Sequence, residues 1–219
     1  MMKAYRWHQQ NFWLSSDRLM YWDEEKMLVV SDLHIGKTGH FRKYGIAVPQ
    51  DVYKEDLQRL FAALQHFQPK KLVIVGDLFH SHANKELDWF LRWRGDFGNT
   101  QFVLVKGNHD ILEESWYQLN AIDTCPHLHS SGLLLVHDMD QERPDSMGDP
   151  LGTISGHIHP AISLKTGPRQ QVRLPCFYFG AGQCILPAFG QFTGTYSVRP
   201  QKDDQVFAIS GKDIMQLSY

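Results

Sequence analysis

Leu28-Val29-Val30-Ser31-Asp32-Leu33-His34 is the stretch that decides the fold. A short apolar run ends in an aspartate and, two residues later, a histidine, which reads as a buried strand delivering polar groups at its carboxyl end. The layout recurs. Leu72-Val73-Ile74-Val75 leads into Gly76-Asp77-Leu78-Phe79-His80, and Phe102-Val103-Leu104-Val105 leads through Lys106 into Gly107-Asn108-His109-Asp110. Leu133-Leu134-Leu135-Val136 leads into His137-Asp138, and a fifth segment reads Gly156-His157-Ile158-His159. Continuous apolar runs are typical of parallel strands covered on both faces. Open α/β sheets present ligand groups just beyond the carboxyl ends of their strands. Carboxylates, imidazoles and one carboxamide are therefore expected to converge on one cleft.

Outward from these runs, Leu19-Met20-Tyr21-Trp22, a polar turn at 23–26 and Met27 to Val30 predict an opening hairpin. A polar loop follows from Lys37 to Val48. Pro49 suits the first turn of a helix in which Val52, Leu57, Leu60, Phe61, Leu64 and Phe67 keep to one side, and Pro69 ends it. A second helix is predicted over Lys85 to Arg94 and a shorter one around Leu112 to Leu119. Strand and helix alternate, which argues for a largely parallel sheet with helical crossovers. From Gly132 the chain turns to short strands punctuated by glycine and proline, predicting a second, more antiparallel sheet. Two sheets face to face with helices outside account for both halves, as one domain spanning 1–219 without a linker. Met139 to Pro150, rich in Asp, Pro and Gly, reads as a mobile loop beside the cleft.

Composition narrows the function. The 219 residues are 42% hydrophobic and 21% charged, enough for a substantial core. A net charge of −2 gives no general attraction for nucleic acid or an acidic membrane, so any polyanion must meet a local basic patch. Met1 to Trp13 lacks the apolar core of a secretory signal, and no run is long enough to span a bilayer. Cys125, Cys176 and Cys184 form no CxxC pair, which fits a reducing cytoplasm. The expected compartment is cytoplasmic, with no membrane partner.

Two divalent cations held roughly 3.5–4 Å apart need a carboxylate that bridges them. Asp77 is the natural candidate, because it ends the strand in the middle of the motif order. Asp32 and His34 are two apart and can face one side of extended backbone, as can His157 and His159 with Ile158 packed opposite. Asn108 adds a neutral oxygen and His137 another imidazole. Mixed imidazole and oxygen donors without thiolate suit manganese, iron, zinc, nickel or cobalt, with manganese placed first. One aspartate after a buried strand is commonly a cap or turn residue. The set carries the chemistry, not any member.

The order DxH, GDxx, GNHD, H, GHxH resembles that of the calcineurin-like metallophosphoesterases, with segments running from Asp32 to His159. The resemblance implies a four-layer αββα sandwich, two mixed sheets flanked by helices. It implies one metal on Asp32, His34, Asp77 and His159, and a second on Asp77, Asn108, His137 and His157. A narrower likeness rests on Ser31 to Lys37, His40 to Pro49, Gly76 to Ser81 and Leu186 to Gly194. These are similar to the bacterial ligase-associated DNA damage response endonucleases. That likeness implies a nuclease or phosphodiesterase working with a DNA ligase and a helicase.

The reaction expected of such a site is attack on phosphorus by hydroxide generated between the cations. His109 is expected to protonate the leaving oxygen or stabilise the transition state, with Asp110 fixing its tautomer. His80 is read as hydrogen-bonding a ligand or capping a helix. Asp138 is read as orienting His137 or opening the loop. Lys37, His40, Arg42 and Lys43 are candidates for substrate phosphate, extended by Lys165, Arg169 and Arg173. Trp89 and Trp93 are expected to pack rather than stack on bases. Two other readings use the same residues: a phosphatase or phosphodiesterase on a small nucleotide or phosphoprotein, and a non-catalytic scaffold. A basic groove tracking several phosphates would separate the nuclease from the monoester enzyme.

Overall fold

The computed structural model describes residues 1–37, 51–79, 85–140, 148–167 and 170–219. Seven strands form the first sheet in chain order: β1 (Met2–Trp7), β2 (Gln10–Ser15), β3 (Met20–Trp22), β4 (Met27–Val30), β5 (Lys71–Val75), β6 (Gln101–Val105) and β7 (Ile122–Cys125). β1 to β4 pair antiparallel, and β4 to β7 pair parallel. The expected hairpin is β3–β4. The β1–β2 hairpin ahead of it and the closing strand β7 carry no sequence pattern of comparable strength.

The second sheet holds β8 (Leu128–Ser130), β9 (Leu133–Val136), β10 (Gly152–Ser155), β11 (Pro160–Gly167), β12 (Gln170–Gly180), β13 (Gln183–Ile185), β14 (Tyr196–Ser197), β15 (Gln205–Ser210) and β16 (Asp213–Ser218). Its middle is parallel, with β10 between β9 and β13, and its long hairpins are antiparallel. Both sheets are mixed, as expected.

Side chains alternate between two cores along the parallel strands, as the two-residue period requires. Met27, Val29, Val73, Val75, Val103 and Val105 face the second sheet and meet Leu133, Leu135, Ile154, Phe177, Phe179 and Phe207. Leu28, Val30, Leu72, Ile74, Phe102 and Leu104 face the other way, onto the helices. These are α1 (Asp51–Phe67), α2 (Lys85–Gly95) and α3 (Glu114–Leu119), which contribute Leu60, Leu64, Leu87, Phe90 and Tyr117. Trp93 packs in this helical layer against Phe90, Phe97 and Phe102, whereas Pro49 and the side chains of Val52 and Trp89 lie outside the described residues. The outer face of the second sheet has its own small core of Ile162, Leu174, Cys176, Tyr178, Val206 and Ala208, packed by Ile158, Leu164, Val198 and Leu217. Among the described residues, that face is packed by side chains from loops and strands.

Phe177 is fully buried where the sheets meet. Phe177→Ala is expected to lower unfolding stability by about 3–5 kcal/mol. Denaturant titration checks this: the midpoint falls while the slope stays constant.

Candidate metal centre

The parallel strands of both sheets aim their carboxyl ends at one place. Beyond β4 and β5 the two loops stay zipped, through Asp32 N–H to Gly76 O (3.1 Å), His34 N–H to Asp77 O (2.9 Å) and Ile35 N–H to Leu78 O (2.9 Å). From the second sheet, Gly156 N–H donates to the His137 carbonyl (3.1 Å). The His157 N–H crosses to Asp32 Oδ2 at 3.1 Å, and the Ser31 hydroxyl donates to the same oxygen.

Asp32 and Asp77 are 0% and 2% exposed, so two carboxylates share a low-dielectric interior. Burial raises the Asp32 pKa, but His159, His137 and the Ser31 hydroxyl outweigh it and hold it below the ordinary carboxylate value. Asp32 Oδ1 faces His159 Nε2 at 3.1 Å, without a hydrogen bond of acceptable angle. Burial, then the Lys37 charge, lower the His34 pKa to about 3. The imidazole is neutral near pH 7, the form that ligates a metal.

Asp77 spans two groups of imidazoles. Its Oδ2 lies 3.9 Å from both His34 Nε2 and His109 Nε2. Its Oδ1 lies 3.4 Å from His137 Nε2 and accepts the His109 N–H at 3.0 Å. His137 Nδ1 donates to the Val75 carbonyl (3.2 Å), which leaves Nε2 as a lone pair. That lone pair meets Asn108 Oδ1 at 3.1 Å and His157 Nδ1 at 3.2 Å. With the Asp77 carboxylate and the Asn108 oxygen beside it, this lone pair sits among acceptors whose repulsion a cation would relieve. His159 Nδ1 likewise donates to the Gly194 carbonyl (3.1 Å), turning Nε2 inward. Ligand atoms of Asp32, His34 and His159 lie within 4.8 Å of one another, as do those of Asp32, Asp77 and His137. The donor set fits divalent cations.

Backbone conformation differs from the expectation of extended strand at the ligand pairs. Asp32, His34, Asp77, His157 and His159 all have positive φ, between 50° and 65°. Such strain in non-glycine residues persists only where surrounding contacts over-determine it, and it gathers at functional sites. The pairs still converge, because the chain coils at each strand end instead of running straight through. His34 and His159 rings stand 5.5 Å apart between centroids.

The motif glycines are spacers. A Cβ at Gly156 would fall 2.7 Å from Asp32 Oδ2 and 2.9 Å from the Val75 carbonyl oxygen, with the Ser31 hydroxyl nearer still. One at Gly107 would overlap the Asp77 carboxylate, and one at Gly76 the His137 ring.

Asp110 has work of its own. Its carboxylate accepts N–H groups from Asp77 (2.8 Å), Leu78 (2.9 Å), Phe79 (3.3 Å) and Gly107 (2.8 Å), bracing two ligand loops. Asp138 Oδ2 lies 3.7 Å from His157 Nε2 and its Oδ1 accepts the Asp140 N–H, so it serves His157 and the loop rather than His137. Lys37 sits where the Asp32 and Asp77 charges reach it, and burial lowers its pKa against their pull. His40, Arg42, Lys43, His80 and Arg169, with most of the 37–48 and 139–150 loops, lie outside the described residues. Lys106 pairs with Glu114 at 3.5 Å, a structural role.

A clamp here had no sequence signal. Phe189 N–H and Gly190 N–H donate to the Ser31 and Asp32 carbonyls (2.8 and 3.2 Å). Arg59 donates to the Phe189 carbonyl (2.7 Å), and Arg18 to those of Ala188 and Gly190 (both 3.3 Å). Phe189 is buried beneath the Arg59 guanidinium, which lies 4.3 Å from the centroid of the Phe189 ring.

The calcineurin-like phosphoesterase family matches residues 25–154, more than half the chain. The protein is a calcineurin-like phosphoesterase. This phosphoesterase is a hydrolase of phosphoester bonds that uses divalent metal ions. It resembles the solved structure of Pseudomonas putida nuclease MPE, with 26% identity and a TM-score of 0.81 over 99% of this chain and 100% of that one. That likeness is consistent with the DNA damage response endonuclease group. More distant structures are a protein from Aquifex aeolicus (18% identity, TM-score 0.43, 61% of this chain and 78% of that one) and the phosphoesterase Yfce from E. coli (16%, 0.45, 88% and 98%). No curated protein gives a significant match. No described helix is long and apolar enough to cross a membrane.

Gly156→Ala is expected to displace Asp32 and strip metal while leaving the sheets intact. Elemental analysis of protein loaded with manganese, beside far-ultraviolet circular dichroism, checks this. Full metal content in a folded variant would show that the Asp32 carboxylate is not held by this contact.

Proposed function

We propose that this phosphoesterase is a dinuclear enzyme that cleaves phosphodiester bonds in DNA during repair. Asp32, His34, Asp77 and His159 would hold one cation, and Asp77, Asn108, His137 and His157 the other. The observation that carries this reading is Asp77, whose two oxygens face separate imidazole groups at 3.9 and 3.4 Å. Support for DNA as substrate comes from end-to-end likeness to a nuclease of Pseudomonas putida. Manganese is proposed as the native metal, the cytoplasm as the compartment, and a DNA ligase and a helicase as working partners. The single domain spans 1–219.

Bound cations would supply Lewis acidity toward phosphoryl oxygens and make water more acidic. The chain's own residues do the rest. Asp77 and Asp32 offset the cations' charge, and Gly194, Val75 and Asp138 hold the imidazoles in orientation. His109 stands at the solvent side, its side chain 41% exposed, with its backbone tied to Asp77 Oδ1 at 3.0 Å. From there its Nε2 delivers a proton to the departing oxygen. Asp110 keeps this loop in place by its four backbone contacts, as a positioning residue. Lys37, and by the family likeness His40, Arg42 and Lys43, meet the substrate phosphate. His80 is assigned to hydrogen-bonding a ligand, or alternatively to capping the helix that follows.

Two tests follow. His109→Ala is expected to lower kcat about 10²–10⁴-fold with metal content unchanged, as loss of a proton donor requires. Loss of both metals in that variant would move His109 into the ligand set. The manganese-loaded enzyme is also assayed on a single-stranded oligonucleotide, a cyclic dinucleotide, bis-p-nitrophenyl phosphate and p-nitrophenyl phosphate. Diester turnover is expected, abolished by chelation and restored by manganese. Turnover of the monoester alone rejects the nuclease reading.

A further inference from the structure

A cleft of about 670 Å³ opens against the GHxH loop, on the outer face of the second sheet. Ile158, between two candidate ligands, forms part of its wall, and Arg173, Tyr196 and Arg199 form its rim. The cleft is tied to the metal centre by backbone. Tyr196 N–H donates to the His159 carbonyl (2.9 Å), and β14 pairs in parallel with the start of β11 directly after His159. Gly194, two residues before Tyr196, orients the His159 ring.

The side chains at the rim reach outward from backbone that is paired in the sheet at Arg173 and Tyr196. Tyr196 is 67% exposed, and both arginines are exposed. Among the described residues neither guanidinium forms an ion pair with a carboxylate. Asp204, the acidic group bonded to the wall residue Tyr178, is buried and committed to the Tyr178 hydroxyl (2.6 Å) and the Gln201 N–H (2.7 Å). Two unpaired guanidinium groups flanking an exposed aromatic ring form the pattern that tracks a single strand: cations for phosphates and a ring for a base. A chain with net charge −2 needs such a local patch to hold a polyanion.

We propose that the cleft edged by Arg173, Tyr196 and Arg199 holds the single-stranded segment of DNA flanking the scissile phosphate. Tyr196 stacks on a base, and the arginines contact consecutive phosphates. This rests on the nuclease reading and extends it from the metal centre to the path of the strand.

The test compares the manganese-loaded enzyme with Arg173→Ala, Arg199→Ala, Tyr196→Ala and Tyr196→Phe. Substrates are a single-stranded oligonucleotide and bis-p-nitrophenyl phosphate, a diester that carries no flanking strand. Tyr196→Ala is expected to lose roughly tenfold in kcat/KM on the oligonucleotide, while Tyr196→Phe keeps it, because the ring does the stacking. Each arginine variant is expected to reduce the salt dependence of oligonucleotide binding by about 0.7 in log–log slope, the loss of one phosphate contact. Turnover of the small diester stays at the parent value in all four, which also reports intact folding and metal loading. Unchanged oligonucleotide kinetics and salt slope in the variants would overturn the cleft assignment alone. A parent enzyme that turns over only p-nitrophenyl phosphate would overturn the nuclease reading, and this inference with it. Equal losses on both diesters would show a structural role for the rim, and likewise overturn the proposal.

Discussion

The hydrogen bond from the His157 N–H to Asp32 Oδ2, 3.1 Å long, is the contact on which the arrangement turns. It joins the carboxyl end of a strand in one sheet to the loop that follows a strand in the other. Asp32 is completely buried, and a buried carboxylate is tolerated only when its oxygens are satisfied. One oxygen takes the His157 amide and the Ser31 hydroxyl, while the other faces His159. Asp77 adds a second buried charge close by. Two such carboxylates, with the neutral His34 imidazole beside them, concentrate negative charge in a dry interior. Cation binding and order at the junction of the sheets are therefore one equilibrium.

Holding that junction demands backbone that a relaxed chain avoids. Asp32, His34, Asp77, His157 and His159 all have positive φ, at a cost of order 1–3 kcal/mol for each sparsely populated conformation. The compensation is visible. Asp110 binds four amides from the loops after β5 and β6. The Arg18 and Arg59 side chains fix the 188–190 segment, which in turn holds the carbonyls of Ser31 and Asp32. The strain is carried by groups that never reach the substrate.

This division explains what the sequence could tell. β4, β5 and β6 were legible because both faces are buried, so Leu, Val and Ile run without interruption. The motif order was legible because each strand end puts its ligands into adjacent chain positions. β1 was not, since its burial runs from exposed to intermediate and its residues mix Lys, Tyr and Arg. Positive φ at aspartate and histidine leaves no compositional mark, unlike glycine, so the pairs read as extended. Arg59 reaching Phe189 spans 130 residues of chain, and Gly194 serving His159 does so through a carbonyl that every residue possesses. Burial of Phe189 could not be read locally, because its cover arrives from α1.

Exposure across the centre bears on the size of substrate. Asp32, His34, Asp77 and His137 are buried, whereas the His109 and His157 side chains are 41% and 42% exposed. His109, the proposed proton donor, thus stands at the boundary with water, and under that proposal the leaving oxygen departs on that side. A pocket that closes over a terminal phosphate would bury such a donor to exclude water from a small leaving group. An open donor suits a leaving group that is itself a long chain, since the chain supplies its own cover and needs free space beyond the scissile bond. Of the two chemistries that share these metal ligands, the open side of the centre favours the diester in a polymer.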